Sequence, residues 1–496
     1  MQHMITASML YSFSTCPHRV SLDLFGDPAE RDEVSAFVEL LWERGHAFEQ
    51  ETIENLGVPF LNLRGVPLAQ REGLTTRAIA NKEDLIYGGR ISHGMLLGEP
   101  DLLRRTDDGY IPGDIKSGAG LEGNSEEVPG KPKKHYALQL ALYSDILQGK
   151  GLTTSKDSFV WDIRGSEVVY KFEQARGPRT SQTMWEEYED ALETATAISK
   201  YAIETTPALI SACKLCHWRS HCRRQINGSD DLTLISELGR SKRDKFPPEL
   251  RTVRGLANVD IDSLIRGSKI TIPGIGAKTL RTYHARAVLQ KQENAKPYFT
   301  VPVELPKAAV ELFFDVETDP FRDLCYLHGF VKRVDSKNET EEFIAFTADE
   351  ATPELEKAAF AGTWRFVHDH ADALVYYYSP YERTTWKKLA RRYPEVARED
   401  DVIALFEQSR FIDLYNDIVR SKMIWPTSSL SIKALAKYLG FQWRDTDPSG
   451  AASVQWFHQW VETGDIDIWN RILEYNEDDC RAMRVLADGL RRLGKG

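Results

Sequence analysis

The chain has 496 residues, of which 42% are hydrophobic and 28% are charged, so its composition excludes a disordered chain and predicts about three domains of ordinary size. No run of about 18 apolar residues occurs, and the first residues lack a basic segment followed by an apolar one, so we expect neither a membrane span nor a secretion signal. The formal net charge of −11 would by itself argue against a nucleic-acid partner, although the charge is spread unevenly.

The first part of the chain combines helical and strand patterns. Apolar residues recur at helical spacing over 30–56, which predicts an amphipathic helix. Strand patterns follow around 85–97, 100–105 and 109–116, and the turn TDDG separates the last two. A second helix is predicted over 135–147.

The remainder of the chain predicts two further regions. The stretch DSFVWDIRGSEVVYKFE indicates a hairpin, and a long helix is predicted over 182–204. Residues 229–291 indicate short helices, and 292–307 mix proline with polar residues as a linker would. A new α/β domain opens with the strand VELFFDVETD. The predicted domains are 1–228, 229–300 and 301–496.

Two carboxylates and a lysine lie at the ends of two short apolar runs in GEPDLLRRTDDGYIPGDIKSG. Asp114 and Lys116 are two residues apart, so they share a face of a strand, and hairpin pairing can bring Asp101 opposite them. Two convergent carboxylates bind a hard divalent cation such as Mg²⁺ or Mn²⁺, and a lysine beside them can orient or deprotonate a water. The pattern predicts a hydrolytic phosphodiesterase centre; the alternative is a solvated hairpin with a salt bridge.

The surroundings of this triplet resemble the RecB-type family of PD-(D/E)XK nucleases. The order G-x-x-D, D-x-K and QLALY, with ERGHAFEQE upstream, is similar to that family's motifs, in which Glu is more frequent than Asp at the position of Asp114. The resemblance implies a restriction-endonuclease-like fold with Lys116 as the catalytic lysine. It implies as metal ligands Glu49, Asp101 and Asp114, and as supporting or nucleic-acid-contacting residues Gln139 and Tyr143. His46 is the rival of Glu49, because many relatives have histidine as this ligand.

Six cysteines occur, and their spacing is not that of a secreted disulfide scaffold, so we expect a reducing, cytoplasmic compartment. Three of them cluster in CKLCHWRSHC as Cys213, Cys216 and Cys222, which indicates a soft metal site that needs one more ligand. A local histidine, His217 or His221, would complete a zinc site.

A lone early cysteine together with C-x2-C-x5-C around such a core instead resembles the iron–sulfur subset of these nucleases. The resemblance implies a structural 4Fe-4S cluster that ties the two ends of the domain together and closes a loop of about 200 residues. Its implied ligands are Cys16, Cys213, Cys216 and Cys222. Cys325 and Cys480 are predicted to be small core residues.

The stretch ITIPGIGAKTLRTYHARAVL lies in a basic segment, residues 240–291, with 12 Lys or Arg against 4 Asp or Glu. Because electrostatic attraction acts within a Debye length, this excess predicts one dedicated phosphate-binding module. Gly274 and Gly276 in a turn between two helical segments resemble a helix-hairpin-helix, which implies backbone N–H groups near a phosphate. Basic residues on the second helix would add attraction: Lys278, Arg281 and Arg286. The alternative is a helical spacer.

A second acidic pattern occurs in the last third of the chain. ELFFDVETDP puts Asp315 and Glu317 on one face of a strand, and EYNEDDCRAMRVL puts Tyr475 and Asp479 on one face of a helix. These D-x-E and Y-x-x-x-D motifs resemble DEDD-type exonucleases of the RNase H-like fold. The resemblance implies carboxylates that hold two Mg²⁺ or Mn²⁺ ions, and a tyrosine that orients the attacking water.

The remaining acid of that site is sought in VYYYSPYERTTWKKLA, where Glu382 is the nearest counterpart and is therefore a predicted metal ligand. FIDLYNDIV offers Asp413 as another acid. Asp478 is a neighbouring ligand or supporting group. The alternative for the whole pattern is a surface strand end and a solvated helix turn.

We therefore predict an α/β multidomain protein with a RecB-type iron–sulfur nuclease core, a helix-hairpin-helix module and an RNase H-like exonuclease domain. The predicted activity is metal-dependent hydrolysis of phosphodiester bonds in DNA or RNA, in repair, recombination or processing. No Walker-A pattern occurs, so unwinding would need a helicase or another partner. Two alternatives remain: only one domain cuts, or the protein is a non-catalytic iron–sulfur scaffold on DNA.

Overall fold

The structure is a computed structural model that describes residues 3–123, 130–177, 180–266, 269–446 and 448–494. The chain divides into two compact units, Met1–Pro207 with Ser211–Cys222, and Ala208–Ile210 with Arg223–Gly496. The predicted boundary at 300/301 falls within the second unit, and the three-domain division stays a prediction. Among the described residues, no helix combines the length and the apolar character needed to cross a bilayer.

The first unit contains eleven strands and six complete helices among its described residues. The strands are β1 (Ile5–Thr6), β2 (Leu61–Asn62), β3 (Leu85–Tyr87), β4 (Ile91–His93), β5 (Leu96–Gly98), β6 (Leu102–Thr106), β7 (Gly109–Lys116), β8 (Leu121–Glu122), β9 (Lys131–Pro132), β10 (Ser158–Asp162) and β11 (Glu167–Tyr170). The helices are α1 (Ala7–Thr15), α2 (Pro17–Phe25), α3 (Ala36–Glu54), α4 (Leu68–Ala80), α5 (Lys134–Gly149) and α6 (Met184–Ser199), and α7 (Arg219–Gly228) begins in this unit.

Six strands form the main sheet of this unit in the order β11-β10-β7-β6-β3-β2. β7 is an interior strand, because it pairs antiparallel with β6 and parallel with β10. α5 packs against β7 and also contacts α1 and α6, so apolar residues occur around most of its circumference and ten of its residues are buried. The polar residues at the end of β7 therefore lie in a buried setting.

The predicted helices over 30–56 and 135–147 are confirmed as α3 and α5, and the predicted hairpin is confirmed as β10 and β11. The single strand predicted over 85–97 is wrong. Gly88 and Gly94, with φ of +70° and +58°, turn the chain there, so three short strands replace one. Left-handed backbone of this kind cannot continue a strand.

The second unit contains nine strands and ten helices among its described residues, in addition to the end of α7. The strands are β12 (Ile265–Arg266), β13 (Lys269–Ile270), β14 (Tyr298–Phe299), β15 (Val310–Asp319), β16 (Leu324–Val334), β17 (Lys337–Thr347), β18 (Leu374–Tyr377), β19 (Phe411–Asp413) and β20 (Met423–Ile424). The helices are α8 (Gly239–Arg243), α9 (Val253–Asn258), α10 (Ala277–Lys291), α11 (Pro353–Asp369), α12 (Tyr381–Arg392), α13 (Glu399–Phe406), α14 (Arg420–Lys422), α15 (Ile432–Tyr438), α16 (Gly450–Thr463) and α17 (Ile466–Leu493).

A five-stranded mixed sheet in the order β17-β16-β15-β18-β19 organises this unit. β15 lies at its centre, antiparallel to β16 and parallel to β18. Leu312, Phe313 and Phe314 in its first half are apolar and buried, while Asp315 and Glu317 lie toward its carboxyl end. The register with β16 shifts between Glu317 and Thr318. The carboxyl ends of β15, β18 and β19 therefore point toward one edge of the sheet.

The segment between the two large α/β regions has its own apolar core, which is formed by short helices as predicted. The glycine turn before α10 follows the short β12–β13 pair, so the expectation of a helix directly on both sides of this turn is wrong. The predicted linker over 292–307 is also not a free linker. β14 pairs with β20, and Leu305 is buried, because apolar residues alternate with the prolines in this stretch.

Candidate metal centres

A buried group of opposite charges lies where β6 and β7 begin to pair. The antiparallel register puts Asp101 opposite Asp114, and the backbone N–H of Asp101 donates to Asp114 Oδ1 at 3.4 Å. The backbone N–H of Ile115 donates to Asp101 Oδ2 at 3.0 Å, and Lys116 Nζ lies 2.8 Å from Asp114 Oδ2. The structure thus brings together the three residues of the first motif.

The charges in this group perturb one another. Burial, with the carboxylates of Asp114 and Glu49, raises the pKa of Asp101 to about 7, although Lys116 opposes the rise. Burial lowers the pKa of the Lys116 ammonium, but Asp114 and Asp101 raise it by more, so this pKa lies above its ordinary value. Lys116 is therefore charged near neutral pH and is suited to stabilise negative charge rather than to act as a base.

Glu49 extends from α3 toward this group and is linked to it through Arg64, although the oxygens of Glu49, Asp101 and Asp114 do not all lie within 4.8 Å of one another. Arg64 Nη2 lies 2.9 Å from Glu49 Oε1 and 3.7 Å from Asp101 Oδ1, and the Tyr87 hydroxyl donates to Glu49 Oε1 at 2.8 Å. Its rival, His46, lines the same cavity of about 600 Å³. Sequence reasoning missed Arg64 and Tyr87, because neither belongs to a spaced motif.

Gln139 and Tyr143 lie one turn apart on α5. Gln139 Nε2 donates to the Tyr143 oxygen at 3.2 Å, and the Tyr143 hydroxyl donates to the carbonyl of Glu99 at 3.3 Å. Burial raises the pKa of Tyr143 well above its ordinary value, and the charges of Asp114 and Asp101 add to the rise. Tyr143 therefore stays protonated near the carboxylates, and its hydrogen bonds link Gln139 to the backbone of Glu99.

The four cysteines of the predicted cluster all lie in the first unit. Cys16 separates α1 from α2, Cys213 lies in a short 3₁₀ helix, and Cys222 lies in α7. Burial raises the pKa of the Cys216 thiol, and the nearby thiols of Cys16 and Cys213 add to the rise. Cys16 and Cys213, almost 200 residues apart in sequence, therefore both act on the pKa of this one thiol.

The two local histidines interact with carboxylates of other segments. His217 Nε2 lies 2.7 Å from Asp23 Oδ1, and His221 Nδ1 lies 3.3 Å from Glu30 Oε2. Within the described part of the chain, the cysteine sulfurs do not form a group whose members lie within 4.8 Å of one another.

The glycine turn of the basic segment lies at the start of α10. Gly274 has a φ of +69°, and Gly276 is the residue that precedes the helix. Lys278 is exposed on its first turn. Arg281 is exposed as well, but its Nη2 lies 2.6 Å from Asp262 Oδ1.

Arg286 differs from the sequence expectation. It is 1% exposed, its Nη1 lies 3.1 Å from Glu237 Oε2, and it donates to the carbonyl of Ser236 at 2.8 Å. Its charge is compensated inside the unit, so the expectation that Arg286 attracts a phosphate is wrong. Amphipathic spacing on α10 did not reveal this, because the compensating acid comes from 49 residues upstream.

Three carboxylates from distant parts of the chain converge in the second unit. Asp315 and Glu317 lie near the carboxyl end of β15, and Asp479 lies on α17. Each offers one oxygen, and these oxygens lie within 4.8 Å of one another. Carboxylate oxygens are the ligands that Mg²⁺ and Mn²⁺ prefer, so the group is chemically suited to hold a hard divalent cation.

These carboxylates are poorly compensated. Burial, with the charge of Asp479, raises the pKa of Glu317 to about 8 although Lys433 opposes the rise. Burial and the charge of Glu317 raise the pKa of Asp315 well above its ordinary value, even though Asn476 Nδ2 donates to Asp315 Oδ2 at 2.8 Å. Such acids take up protons near neutral pH unless a cation is bound.

Glu382 lies beside this triad in the first turn of α12. It is 2% exposed, and among the described residues its Oε2 has no hydrogen-bond partner. Burial raises its pKa well above the ordinary value, and the charge of Asp413 adds to the rise. The charge of Glu382 in turn raises the pKa of Asp315, so it is a neighbour of the triad without belonging to the 4.8 Å group.

Tyr475 and Asp479 share one face of α17, as their spacing predicts. Lys433 Nζ lies 2.8 Å from the Tyr475 oxygen and 3.0 Å from Asp479 Oδ1, and Trp443 Nε1 donates to Asp479 Oδ1 at 2.7 Å. Sequence reasoning did not single out Lys433 or Trp443. They come from α15 and the loop after it, and only tertiary packing brings them to the acids.

The other two acids considered from sequence are engaged elsewhere. Asp478 accepts the backbone N–H of Arg444 at 2.8 Å and its Nε at 3.0 Å. Asp413 ends β19, and its Oδ1 accepts the backbone N–H groups of Tyr415 and Asn416 at 2.9 Å each. Asp413 therefore fixes the chain after the strand, while Asp478 pairs with an arginine.

Comparison with protein families agrees with this geometry. Residues 10–223 match the PD-(D/E)XK nuclease superfamily, and residues 312–491 match the RNase H superfamily. The chain is thus a mixed α/β multidomain protein with one domain of each kind and a helical segment between them, which confirms the predicted fold class. No curated protein matches the chain. Both acidic groups lie within the matched ranges, and domains of these two superfamilies indicate phosphodiester hydrolysis on a nucleic acid.

Proposed function

We propose that this protein is a metal-dependent nuclease that hydrolyses phosphodiester bonds of DNA or RNA with Mg²⁺ or Mn²⁺. The observation that carries the proposal is the triad of Asp315, Glu317 and Asp479, whose ligand oxygens lie within 4.8 Å of one another. Buried carboxylates that repel one another gain most from a shared cation, and Glu382 Oε2, which has no hydrogen-bond partner among the residues that the structure describes, fits a further ligand.

In the RNase H-like domain we assign roles to the residues around the triad. Bound divalent metal would supply an activated water and stabilise charge on the leaving oxygen. Burial raises the pKa of Tyr475 well above its ordinary value, so its hydroxyl stays protonated and can orient that water. Lys433, 2.8 Å from the Tyr475 oxygen, offers positive charge to the phosphate. The D-x-E and Y-x-x-x-D order supports DEDD-type, exonucleolytic action.

In the PD-(D/E)XK domain we propose a RecB-type centre. The divalent cation would be held by Glu49, Asp101 and Asp114. When the cation binds, Arg64 would release Glu49. The charged Lys116, 2.8 Å from Asp114 Oδ2, would stabilise negative charge on the phosphate. Gln139 and Tyr143 would hold the backbone just before Asp101, because Gln139 donates to Tyr143 and the Tyr143 hydroxyl donates to the carbonyl of Glu99.

The test is cleavage of end-labelled and circular DNA and RNA, single- and double-stranded, with Mg²⁺, Mn²⁺ or a chelator. Asp114→Ala and Asp315→Ala should each lower one activity by on the order of 10²- to 10³-fold, and the double variant should lose both. Asp107→Ala removes an exposed acid of the same hairpin, in the turn far from Asp101 and Asp114, and Glu474→Ala removes an exposed acid of α17; both serve as controls.

The pattern of losses separates the alternatives. If only one single variant loses activity, one domain cuts and the other positions the strand. If the wild type shows no metal-dependent cleavage on any substrate, the enzymatic proposal is wrong and a nucleic-acid-binding scaffold remains. Activity on linear but not circular substrates would support exonucleolytic action.

We propose further that Cys16, Cys213, Cys216 and Cys222 hold a structural 4Fe-4S cluster. Four thiols form a suitable donor set, and the effect of Cys16 and Cys213 on the pKa of Cys216 supports the proximity of these three residues. The cluster would tie the start of the domain to its end and so restrict the unfolded chain.

After anaerobic purification the protein should contain iron and sulfide and absorb visible light. Cys216→Ser should remove this absorbance and lower the free energy of unfolding, by up to about 4 kcal/mol if the cluster acts like a crosslink closing a long loop. Lys214→Ala and His221→Ala are the controls that should keep the cluster. A colourless wild type with one bound zinc would contradict the proposal.

For the segment at 229–300 we propose a helix-hairpin-helix-like grip on the nucleic-acid backbone, formed by the turn at Gly274 and Gly276 with Lys278 and Arg281. The start of α10 directly after the turn supports this, because its first N–H groups are unpaired within the helix. Such an enzyme would serve DNA repair, recombination or processing, and a helicase or another partner would supply unwinding.

A further inference from the structure

A buried asparagine on α17 lies against the acidic triad. Asn476 directly follows Tyr475 and precedes Asp479 by three residues, and it is 0% exposed. Its Nδ2 donates to Asp315 Oδ2 at 2.8 Å. This bond uses one oxygen of the carboxylate and leaves the other, Oδ1, for a cation. The asparagine therefore joins α17 to the strand that carries the other two acids of the triad.

The same side chain acts on the second acid of β15. Burial and the charge of Asp479 raise the pKa of Glu317. Lys433 and the side chains of Ser453 and Asn476 oppose this rise. Because an amide nitrogen carries two hydrogens, it can donate to two carboxylates at once. Asn476 is therefore suited to serve both carboxylates near the carboxyl end of β15.

The amide oxygen of Asn476 has no such task. Oδ1 is buried, and none of the residues that the structure describes donates a hydrogen bond to it. An unpaired buried acceptor destabilises a fold, so its presence needs a reason. Turning the amide over would put its oxygen against Asp315 Oδ2, and two acceptors repel each other while the carboxylate is ionised. The donor side of the amide thus faces the acids although its acceptor side stays unpaired.

A glycine on β16 makes room for this asparagine. Gly329 pairs with Asp315 in the antiparallel register of β15 and β16. A Cβ at this position would lie 1.6 Å from Asn476 Oδ1 and 2.8 Å from its Cγ, which is closer than these atoms can approach. Gly329 does not have a positive φ, so the position requires the absence of a side chain rather than backbone freedom. Cys480, one turn after Asn476, donates from Sγ to the Gly329 carbonyl at 3.4 Å, so α17 packs directly on this glycine.

We propose that Asn476 is a positioning residue of the metal centre in the RNase H-like domain and that Gly329 provides the space for it. The amide orients the carboxylates of Asp315 and Glu317 so that, together with Asp479, they face one shared divalent cation. Hydrogen-bond donors behind metal-binding carboxylates orient such ligands, and their loss commonly weakens metal binding by about 10- to 100-fold. This inference rests on the proposed nuclease function and adds to it the residues that hold the acids in place.

The test is Mn²⁺ binding by the full chain in an Asp114→Asn background, which removes a predicted ligand of the first centre. Asn476→Leu removes both donor hydrogens with little change in side-chain size, and it should raise the dissociation constant for Mn²⁺ by about 10- to 100-fold. Gly329→Ala introduces the methyl group that displaces the amide, so it should weaken Mn²⁺ binding by at least about tenfold. Isothermal titration calorimetry measures both dissociation constants.

The effects of the glycine and asparagine changes should not add. Asn476→Ala opens the space that faces Gly329, so adding Gly329→Ala to it should change the dissociation constant by less than about twofold. Gly489→Ala is the matched control. It also adds a methyl group to a closely packed glycine, 2.7 Å from Leu439 Cδ1, but this glycine lies on α17 ten residues beyond Asp479. The control should lower the Tm and leave the Mn²⁺ affinity unchanged.

Cleavage in the same background gives a second readout that a merely structural role would not change. In Asn476→Leu the Mn²⁺ concentration for half-maximal cleavage should rise with the dissociation constant. KM for the nucleic acid should stay at its unsubstituted value, because the amide contacts the acids and not the substrate. A lower Tm with unchanged Mn²⁺ affinity in both Asn476→Leu and Gly329→Ala would overturn the proposal.

The outcomes separate this inference from the proposed function. If the Asp114→Asn protein binds Mn²⁺ but cleaves no substrate, the nuclease function is refuted, while weaker Mn²⁺ binding by Asn476→Leu would still support the role of Asn476. If the protein cleaves and Asn476→Leu keeps its Mn²⁺ affinity, the nuclease function stands and the role of Asn476 is refuted. The absence of any Mn²⁺ binding in this background would refute both.

Discussion

The two acidic centres differ in how the chain compensates their charge. In the PD-(D/E)XK domain three acids face two cations of the chain, namely Glu49, Asp101 and Asp114 against Arg64 and Lys116. In the RNase H-like domain four acids lie near a single cation of the chain, Lys433. These acids are Asp315, Glu317, Glu382 and Asp479. The first centre is therefore largely balanced by its own chain, while the second depends on bound protons or an added cation.

The perturbed pKa values reflect this difference. In the first centre burial and its acidic neighbours raise the pKa of Asp101 to about 7. In the second, burial and mutual repulsion raise the pKa of Glu317 to about 8 and that of Asp315 well above its ordinary value. The two acidic centres of this chain thus differ in how much negative charge is left for a bound cation or proton to compensate.

The largest expected effect comes from removing the internal cation of the balanced centre. In an Asp315→Asn background, which silences the second centre, Lys116→Met should lower cleavage by about 10²- to 10³-fold without weakening Mn²⁺ binding. The reason is that Lys116 stabilises charge on the phosphate and competes with the metal for Asp114. Cleavage and metal titrations on the same preparation check this, and Lys134→Met, on the nearby α5, is the control. Unchanged cleavage would show that Lys116 does not take part in the reaction.

Metal addition should stabilise the less balanced centre more. Mn²⁺ at about 100 times its dissociation constant should raise the free energy of unfolding of the second unit by about 2.7 kcal/mol. Differential scanning calorimetry checks this, because the two units can unfold in separate transitions. Asp315→Asn should lose the shift, whereas Asp114→Asn should keep it. If Mn²⁺ raised the free energy of unfolding of the first unit by more than that of the second, the stated difference between the two centres would be wrong.

The pH dependence of the metal-free protein should show the same imbalance. Because the pKa of Glu317 rises from 4.5 to about 8 on folding, the folded chain holds this proton more tightly than the unfolded chain. The contribution of this proton to the free energy of unfolding is therefore fully present below about pH 4.5 and is lost as the pH rises to about 8. The Tm of Glu317→Gln in a chelator should therefore exceed that of the wild type by an amount that grows over this range.

Mn²⁺ should cancel that growth, because the metal binds the ionised carboxylate and replaces the proton. A difference in Tm between Glu317→Gln and the wild type that is constant from pH 4.5 to 8 would contradict the stated ionisation. Glu474→Gln, an exposed acid on α17, is the matched control and should follow the wild type.

The smallest expected effect concerns the basic segment, where exposure and pairing distinguish two neighbouring cations. Lys278→Ala should weaken nucleic-acid binding a few-fold and lower the slope of log affinity against log salt by about one. Arg281→Ala should do less, because Asp262 already pairs with Arg281. Asp262→Asn should strengthen binding. Binding titrations at several salt concentrations measure the affinity of all three variants. Equal salt slopes for every variant would contradict the proposal that this segment binds the nucleic-acid backbone.

Local periodicity was sufficient to find pairs of residues on one element. Asp114 and Lys116 share a face of β7, and Tyr475 and Asp479 share a face of α17, because side chains repeat every 2 residues on a strand and every 3.6 on a helix. Hairpin logic likewise put Asp101 opposite Asp114. Local reasoning failed at 85–97, where two glycines in left-handed backbone interrupt an otherwise continuous strand pattern.

The sequence by itself determined the two fold classes through motifs that resemble known families. It also determined the elements that carry the acids and the burial of Cys325 and Cys480, because these follow from local patterns of polarity. Only the tertiary structure decided which cations compensate those acids. Arg64, Lys433 and the buried Arg286 meet partners 15 to 49 residues away, and such contacts depend on how whole elements pack. Charge balance at a site is a property of that packing, because a carboxylate's pKa depends on every charge around it in space and on its burial.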